Sequence, residues 1–379
     1  MGNSEIQWEN TVQQDYGLEL SFLKGRLGFT ADYYIKATNH LLADRQIPKE
    51  TGFSTVRVNV GDIQNKGMEL SVNGSPVVTR NFKWNVIGNI SFQRGVVKSL
   101  FNHQAFVTSD NRHLIQEGGK LGDFYGWKQL GIYRWDASNA YSNNWTRLEP
   151  VNVSADGKTA EYYTLNGVKY TGTIHNLYGP AGKLVGGDTE WQNANRDSLI
   201  DDGDRQIIGN ATPKYFLGLG NTFTYKGISF SFNINATVGG QVYNAFAENL
   251  STFGSSNGTA FPLAIYTAWR KQGDVALYPY FPYKDTHGDQ KKGNNSFYLE
   301  DATFIRLASM RINWSVPVNM LKKIGFKGLN AYVYGINLLT FTDYTGFDPE
   351  FSSDVLSPGV DGGRYPKRRE FGLGLNITL

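Results

Sequence analysis

The chain has 379 residues, 40 % of them hydrophobic and 14 % aromatic, with a net charge of only +3 and no cysteine. Without cysteine there is no disulfide framework, thiol nucleophile or Cys-based zinc site. The small net charge gives no electrostatic footprint for nucleic acid, and the one basic cluster, Lys367-Arg368-Arg369, is too short to supply one.

No apolar run reaches the roughly 18 residues that a membrane helix needs. High Tyr and Phe usage and 43 glycines favour strands and turns instead. The first residues, Met1 to Glu5, are polar and show no signal peptide. An exported protein without one is expected to be a fragment, or a reading that starts inside a longer frame.

Period-2 alternation begins at once. Tyr16, Leu18, Leu20 and Phe22 alternate with Asp15, Gly17, Glu19 and Ser21. After Lys24-Gly25, residues Leu27, Phe29, Ala31, Tyr33 and Ile35 alternate with Gly28, Thr30, Asp32 and Tyr34. A strand sends successive side chains to opposite faces, so each segment reads as a ribbon with one apolar side. Residues 37–62 are polar and read as a loop. A turn near Thr79–Asn81 precedes Phe82 to Gln93, where Phe82, Trp84, Val86, Ile90 and Phe92 share a face. Long polar stretches follow at 102–122 and 135–210.

Beyond them, Ile228 to Val238 alternates after a turn at Lys226-Gly227. A further polar stretch, 239–295, leads to the ribbon Ala308 to Val316. The stretch 342–367 then precedes the last ribbon, Phe371 to Leu379. About ten such segments, most of about 10 to 12 residues, suit membrane strands rather than the shorter strands of soluble domains. Short turns at one end, long loops at the other, and Tyr or Trp near strand ends (Tyr33, Trp84, Tyr215, Tyr225, Trp314) are features of outer-membrane barrels. The fold class expected is all-β, an antiparallel transmembrane β-barrel with long extracellular loops. Its lipid-facing sheet must close because unpaired edges are untenable in hydrocarbon.

Two segments carry candidate chemistry. Asn193, Asn195, Asp197, Asp201 and Asp204 space their oxygens in the manner of an Asp-x-Asn-x-Asp calcium loop, though no Glu closes it; an acidic solvated turn is the alternative. Loop aromatics able to stack on a sugar face are Tyr125, Trp127, Trp145, Trp191, Trp269, Tyr278 and Tyr280, with packing inside their own loops as the alternative. The histidines His40, His103, His113, His175 and His287 read as scattered loop residues without zinc spacing. No phosphate loop or nucleophile elbow is present, so no enzyme activity and no required cofactor is expected.

Several strings stand out together: Asn59-Val60-Gly61-Asp62-Ile63-Gln64-Asn65-Lys66-Gly67, Glu117-Gly118 with Leu121-Gly122-Asp123-Phe124-Tyr125-Gly126, and Asp201-Asp202-Gly203-Asp204 with Ile208-Gly209-Asn210-Ala211-Thr212-Pro213-Lys214-Tyr215. Leu299-Glu300-Asp301-Ala302-Thr303-Phe304-Ile305-Arg306-Leu307, Gly335-Ile336-Asn337-Leu338 and Tyr344-Thr345-Gly346-Phe347-Asp348-Pro349-Glu350 complete the series. In this order they resemble the SusC/RagA-like TonB-dependent transporters of the outer membrane. The resemblance implies the C-terminal part, residues 1–379, of a 22-strand-type barrel, with the plug and the N-terminal strands absent. It also implies TonB-dependent uptake of oligosaccharides or peptides with a SusD-like surface lipoprotein, and coupling to TonB-ExbB-ExbD through the missing N-terminal part. Leu379 stands where family members carry a terminal aromatic. A soluble β-rich carbohydrate-binding or adhesive module, and a non-transporting gene remnant, are the competing readings.

Overall fold

The computed structural model describes residues 6–46, 50, 52–53, 55–251, 266–280, 293–321, 325–350 and 356–379. Nine strands form one antiparallel sheet in simple sequence order: β1 (Asn10–Phe22), β2 (Leu27–Gln46), β3 (Thr55–Val78), β4 (Phe82–Leu100), β5 (Tyr215–Tyr225), β6 (Ile228–Val238), β7 (Phe304–Ser315), β8 (Gly328–Thr342) and β9 (Glu370–Thr378). Among the described residues the sheet is open, with β1 and β9 each unpaired on one side.

The register makes the faces continuous. One row across eight strands reads Leu18, Ala31, Leu70, Ile90, Leu217, Ala236, Ile305, Phe341. The adjacent row reads Glu19, Thr30, Ser71, Asn89, Gly218, Asn235, Arg306, Thr340. Because the side-chain period is 2, no slip of one residue could keep both rows intact. The apolar row is not sealed: Leu18 is 52 % exposed and Phe341 65 %. A soluble sandwich would cover this face with a second sheet, and none does so among the described residues. An uncovered apolar band on a sheet this wide needs an apolar solvent, which is the lipid side of a barrel wall.

Aromatic rings edge that band at both ends. Trp84 stacks on Phe223 at 5.8 Å, and Tyr225 and Trp314 stand nearby at the turn end. At the loop end Phe92 meets Tyr215 at 5.9 Å, and Tyr16 meets Tyr33 at 6.5 Å. Phe82 and Phe92 are separated by roughly 33 Å of strand, which at the usual barrel tilt rises roughly 25 Å, the height of an apolar girdle.

The connections sort by end. Residues 23–26, 79–81, 226–227 and 316–327 join strands at one end, and 47–54, 101–214, 239–303 and 343–369 at the other. The expected loop over residues 37–62 is corrected: strand continues to Gln46 and resumes at Thr55. β2, β3 and β4 have 20, 24 and 19 residues, well beyond the 10 to 12 expected. Their outer parts form a fin above the bilayer band. The fin is bent at a bulge where His40 has φ 57° and Gly61 φ 150°. His40 is therefore a strand residue, not the loop residue expected. A Cβ on Gly61 would stand 2.1 Å from the Ser99 carbonyl oxygen, so only glycine lets β3 approach β4 there. At the bend the strands acquire a covered face, where Ile63, Val97 and Leu100 pack with Ile115 of the following segment.

Candidate functional site

The loop end carries a second layer of structure. The segment between β4 and β5 has its own core of Tyr133, Tyr141, Leu177, Leu184, Trp191 and Ile200, each under 5 % exposed. Beside it the Tyr133 hydroxyl lies 2.7 Å from that of Tyr141, which donates to Glu190; Arg147 pairs with the same carboxylate. Burial, then the neighbouring Glu190 charge, pushes the Tyr141 phenol well above its ordinary value, so it stays a donor at any physiological pH.

The strings that resemble one family are the fasteners of this layer. Asn210 donates to Leu121 O and Asp123 Oδ1, and Ala211 N–H to Gly122 O, tying the entry of β5 to the segment after β4. Glu117 accepts from Leu100 N–H at 2.7 Å. Glu300 accepts from Asn244 and from both the N–H and hydroxyl of Thr345, joining two connections at one carboxylate. Arg306, 2 % exposed, donates to Thr340 Oγ1, to Glu350 Oε2 at 2.8 Å and to Asp348 Oδ1 at 2.6 Å. Lys367 adds a contact to Glu350 at 2.5 Å. A buried guanidinium thus clamps the 343–369 connection over the sheet's polar face.

The predicted aromatics fall into separate groups. Tyr125 and Trp127 flank Arg205, whose guanidinium carbon lies 4.4 and 5.0 Å from their ring centres. Trp127 also donates to Asp201 O. Trp191, 2 % exposed, is a member of the loop core, and Trp145 packs at its margin against Tyr141 and His175. Trp269 is 8 % exposed, donates to Arg134 O and meets Tyr280 edge-on at 5.9 Å. Tyr278 meets Phe297 edge-on at 5.0 Å. The seven form no single platform.

Tyr278 does line a groove of about 580 Å³ between the segments that follow β6, precede β7 and follow β8. Its walls are Phe246, Phe297, Tyr298 and Phe347, with Glu300, Asp301 and Asp343 alongside. Sequence reasoning did not mark these residues as ligand contacts because they come from three distant segments.

The Asn/Asp segment bonds to itself. Asp197 Oδ1 accepts from Leu199 N–H, Asp201 Oδ1 from Gly203 N–H, and the buried Asp204 from Ala194 and Asp201 N–H. Burial raises the Asp204 pKa, against the pull of those donors. Asn193 and Asn195 accept from Asp197 N–H. These oxygens point to backbone donors rather than to a common centre. Among the described residues no three acidic or imidazole groups converge as metal ligands. His113, fully buried, links two connections: its Nε2–H donates to Pro358 O at 2.8 Å and its Nδ1 lies 3.4 Å from Asp110. His287 lies outside the described residues.

A family model described as "TonB dependent receptor-like, beta-barrel" matches residues 1–166. Over its full length the chain is 36 % identical to TonB-dependent receptor P39 of Formosa agariphila, covering 36 % of that protein. It is 26 % identical to TonB-dependent receptor SusC of Bacteroides thetaiotaomicron, covering 32 % of it. The chain thus spans about a third of the length of the curated relatives it matches. The whole chain also superposes on 36 % of a chain of the RagAB peptide transporter, with a TM-score of 0.74 at 20 % identity, which shows a shared fold. Over its whole length the chain is similar to the SusC-like, TonB-dependent receptors, and it has the fold of a portion of their transporter barrel.

Proposed function

We propose that this chain forms part of the wall and the outer loop layer of an outer-membrane importer. The importer takes up oligosaccharides or peptides, is energised by TonB-ExbB-ExbD, and works with a SusD-like surface lipoprotein. The observation that carries this reading is the two-sided sheet: a continuous uncovered apolar row backed by a continuous polar row, with the large connections gathered at one end. Unpaired backbone at β1 and β9 could not stand in hydrocarbon, so further strands complete the barrel, in keeping with relatives about three times as long. The name of the structural neighbour, a peptide transporter, favours small polymers as cargo.

The absence of native cysteine makes orientation directly testable. In intact cells, a membrane-impermeant maleimide is expected to label Asn166→Cys, at a hairpin tip in the loop layer, and to reach Lys226→Cys in a short turn only after lysis. The reverse pattern would overturn the topology. Uptake of labelled peptide or glycan that persists without TonB would overturn the energised import.

A further inference from the structure

The groove beside Tyr278 has a chemistry more specific than a general sugar site. Its rings do not lie flat: Phe297 stands edge-on to Tyr278 at 76° and to Tyr298 at 88°, and Phe246 and Phe347 splay at 45° with centres 5.6 Å apart. A pyranose stacks on a flat open ring. A corrugated cleft instead accepts a flexible or branched apolar side chain.

Its polar groups carry one sign. Among the described residues no Lys, Arg or His lines the groove. Of its three carboxylates, Glu300 is consumed by Asn244 and Thr345, and Asp301 Oδ1 by Thr303 N–H. Asp343 is exposed and has no hydrogen-bond or ion-pair partner among the described residues. Phe347, which lines the same groove, is 60 % exposed and offers a ring face of the kind that attracts cations.

We infer that this groove binds a peptide segment in which an apolar side chain adjoins a Lys, an Arg or a free amino terminus. The apolar group packs against the splayed rings of Phe246 and Phe347, and the cation rests on Asp343. An anionic glycan meets a like charge there, and a neutral glycan gains nothing from it. This inference rests on the importer reading given above, since it specifies a cargo for it.

The test uses the full-length importer in detergent and fluorescence anisotropy with three labelled probes: an alternating Lys/Phe nonapeptide, its Glu/Phe counterpart and a neutral malto-oligosaccharide. The Lys/Phe peptide is expected to bind about tenfold more tightly than the Glu/Phe peptide, and Asp343→Lys to reverse that preference. Phe347→Ala is expected to weaken both peptides. Both positions are exposed, and the heat-modifiable gel shift of a folded barrel confirms that each variant assembles. Asp343→Asn, which keeps the shape, should lose the charge preference without reversing it. Equal binding of the two peptides by the unaltered protein, or a preference that survives Asp343→Lys, overturns the inference. TonB-dependent uptake of the glycan without peptide binding overturns it too, yet leaves the importer standing; loss of all TonB-dependent uptake would remove the importer reading itself.

Discussion

The ring of Tyr34 on β2 lies across Gly67, its cross-strand partner on β3, so closely that a Cβ at residue 67 would stand 2.2 Å from the ring's Cζ. The same arrangement recurs at the far end of the sheet, where Tyr334 covers Gly372 and Tyr332 covers Gly374. Each glycine is a gap that a neighbouring tyrosine fills on the polar face, which pins register and closes backbone that would otherwise be wet. Gly67→Ala is therefore expected to force the ring out and to destabilise the sheet by about 1–3 kcal/mol, the usual range for overpacking. A urea midpoint of the folded, heat-modifiable form that does not move would show that the ring can vacate the gap freely.

How much of this was legible in the sequence depended on contrast between faces. Phe82 to Gln93 announced itself because lipid on one side and water on the other impose opposite demands on neighbouring residues. Leu41 to Gln46 and Thr55 to Val60 did not, since the fin stands above the bilayer. There, loops and water replace lipid, and polar Asn39, His40 and Asn59 sit within the strands. Trp191 and Trp145 looked like sugar platforms because sequence gives aromatic content but not what surrounds a ring. Their burial arises from the chain folding back between residues 133 and 200. The groove at Phe246 and Phe347 was invisible for a related reason: three segments separated by up to a hundred residues build it.

The clamp at Arg306 should govern the 343–369 connection. Arg306→Met leaves Asp348 and Glu350 without their shared guanidinium and is expected to destabilise by about 3 kcal/mol, the low end for stranding one side of a buried pair. Protease nicking between residues 343 and 369 in the assembled barrel should then rise at least tenfold. Neutralising the carboxylates as well, with Asp348→Asn and Glu350→Gln, should restore most of the protection, because the penalty is chiefly the unpaired charge of Asp348, Glu350 keeping Lys367. A triple variant no better than the single one would sink that explanation.

Acid should open the contact between Asp110 and His113. Burial works against ionisation of Asp110. Hydrogen bonds from Thr108 and the Arg112 N–H, with the His113 ring 3.4 Å away, outweigh it and hold the carboxyl at about 2. A folded pKa below the unfolded value of about 4 means a stabilising contribution that is complete above about pH 4 and fades as the pH falls towards 2. Hydrogen exchange at residues 106–115, corrected for the intrinsic rate, is expected to rise over that window. Asp110→Asn should exchange at the raised level throughout. Protection unchanged down to pH 2 would remove Asp110 as the acid-sensitive group.

The 193–204 segment should keep its shape without any metal. Its carboxylates are already occupied by backbone donors, so a chelator is expected to leave its hydrogen exchange unchanged. Asp204→Ala orphans the Ala194 and Asp201 N–H groups, and at about 1–3 kcal/mol for an unmet buried donor it should raise exchange at least several-fold. Exchange that rises with chelator and falls again with added calcium would revive the ion-binding reading.

The direction in which the wall faces can be read from a pair of substitutions near its middle. Leu219 lies on the apolar side of β5, between Gly88 and Ile234, and is 41 % exposed. Asn233, on β6, lies on the polar side beside Gly220 and donates to Ser309. If the apolar side meets lipid, Leu219→Arg places a charge near the bilayer midplane at about 2–4 kcal/mol. Asn233→Arg places the same charge in the aqueous interior, where it should cost well under 1 kcal/mol, as surface substitutions usually do. The measurement is the fraction of each variant reaching the heat-modifiable folded form in liposomes, followed by its urea midpoint. Folding lost with Leu219→Arg and kept with Asn233→Arg is the expected result. Were the two reversed, the polar row would have to be the lipid face, and the barrel reading would fall with it, because Glu19, Asn89, Asn235 and Arg306 on that row could not all be satisfied in hydrocarbon.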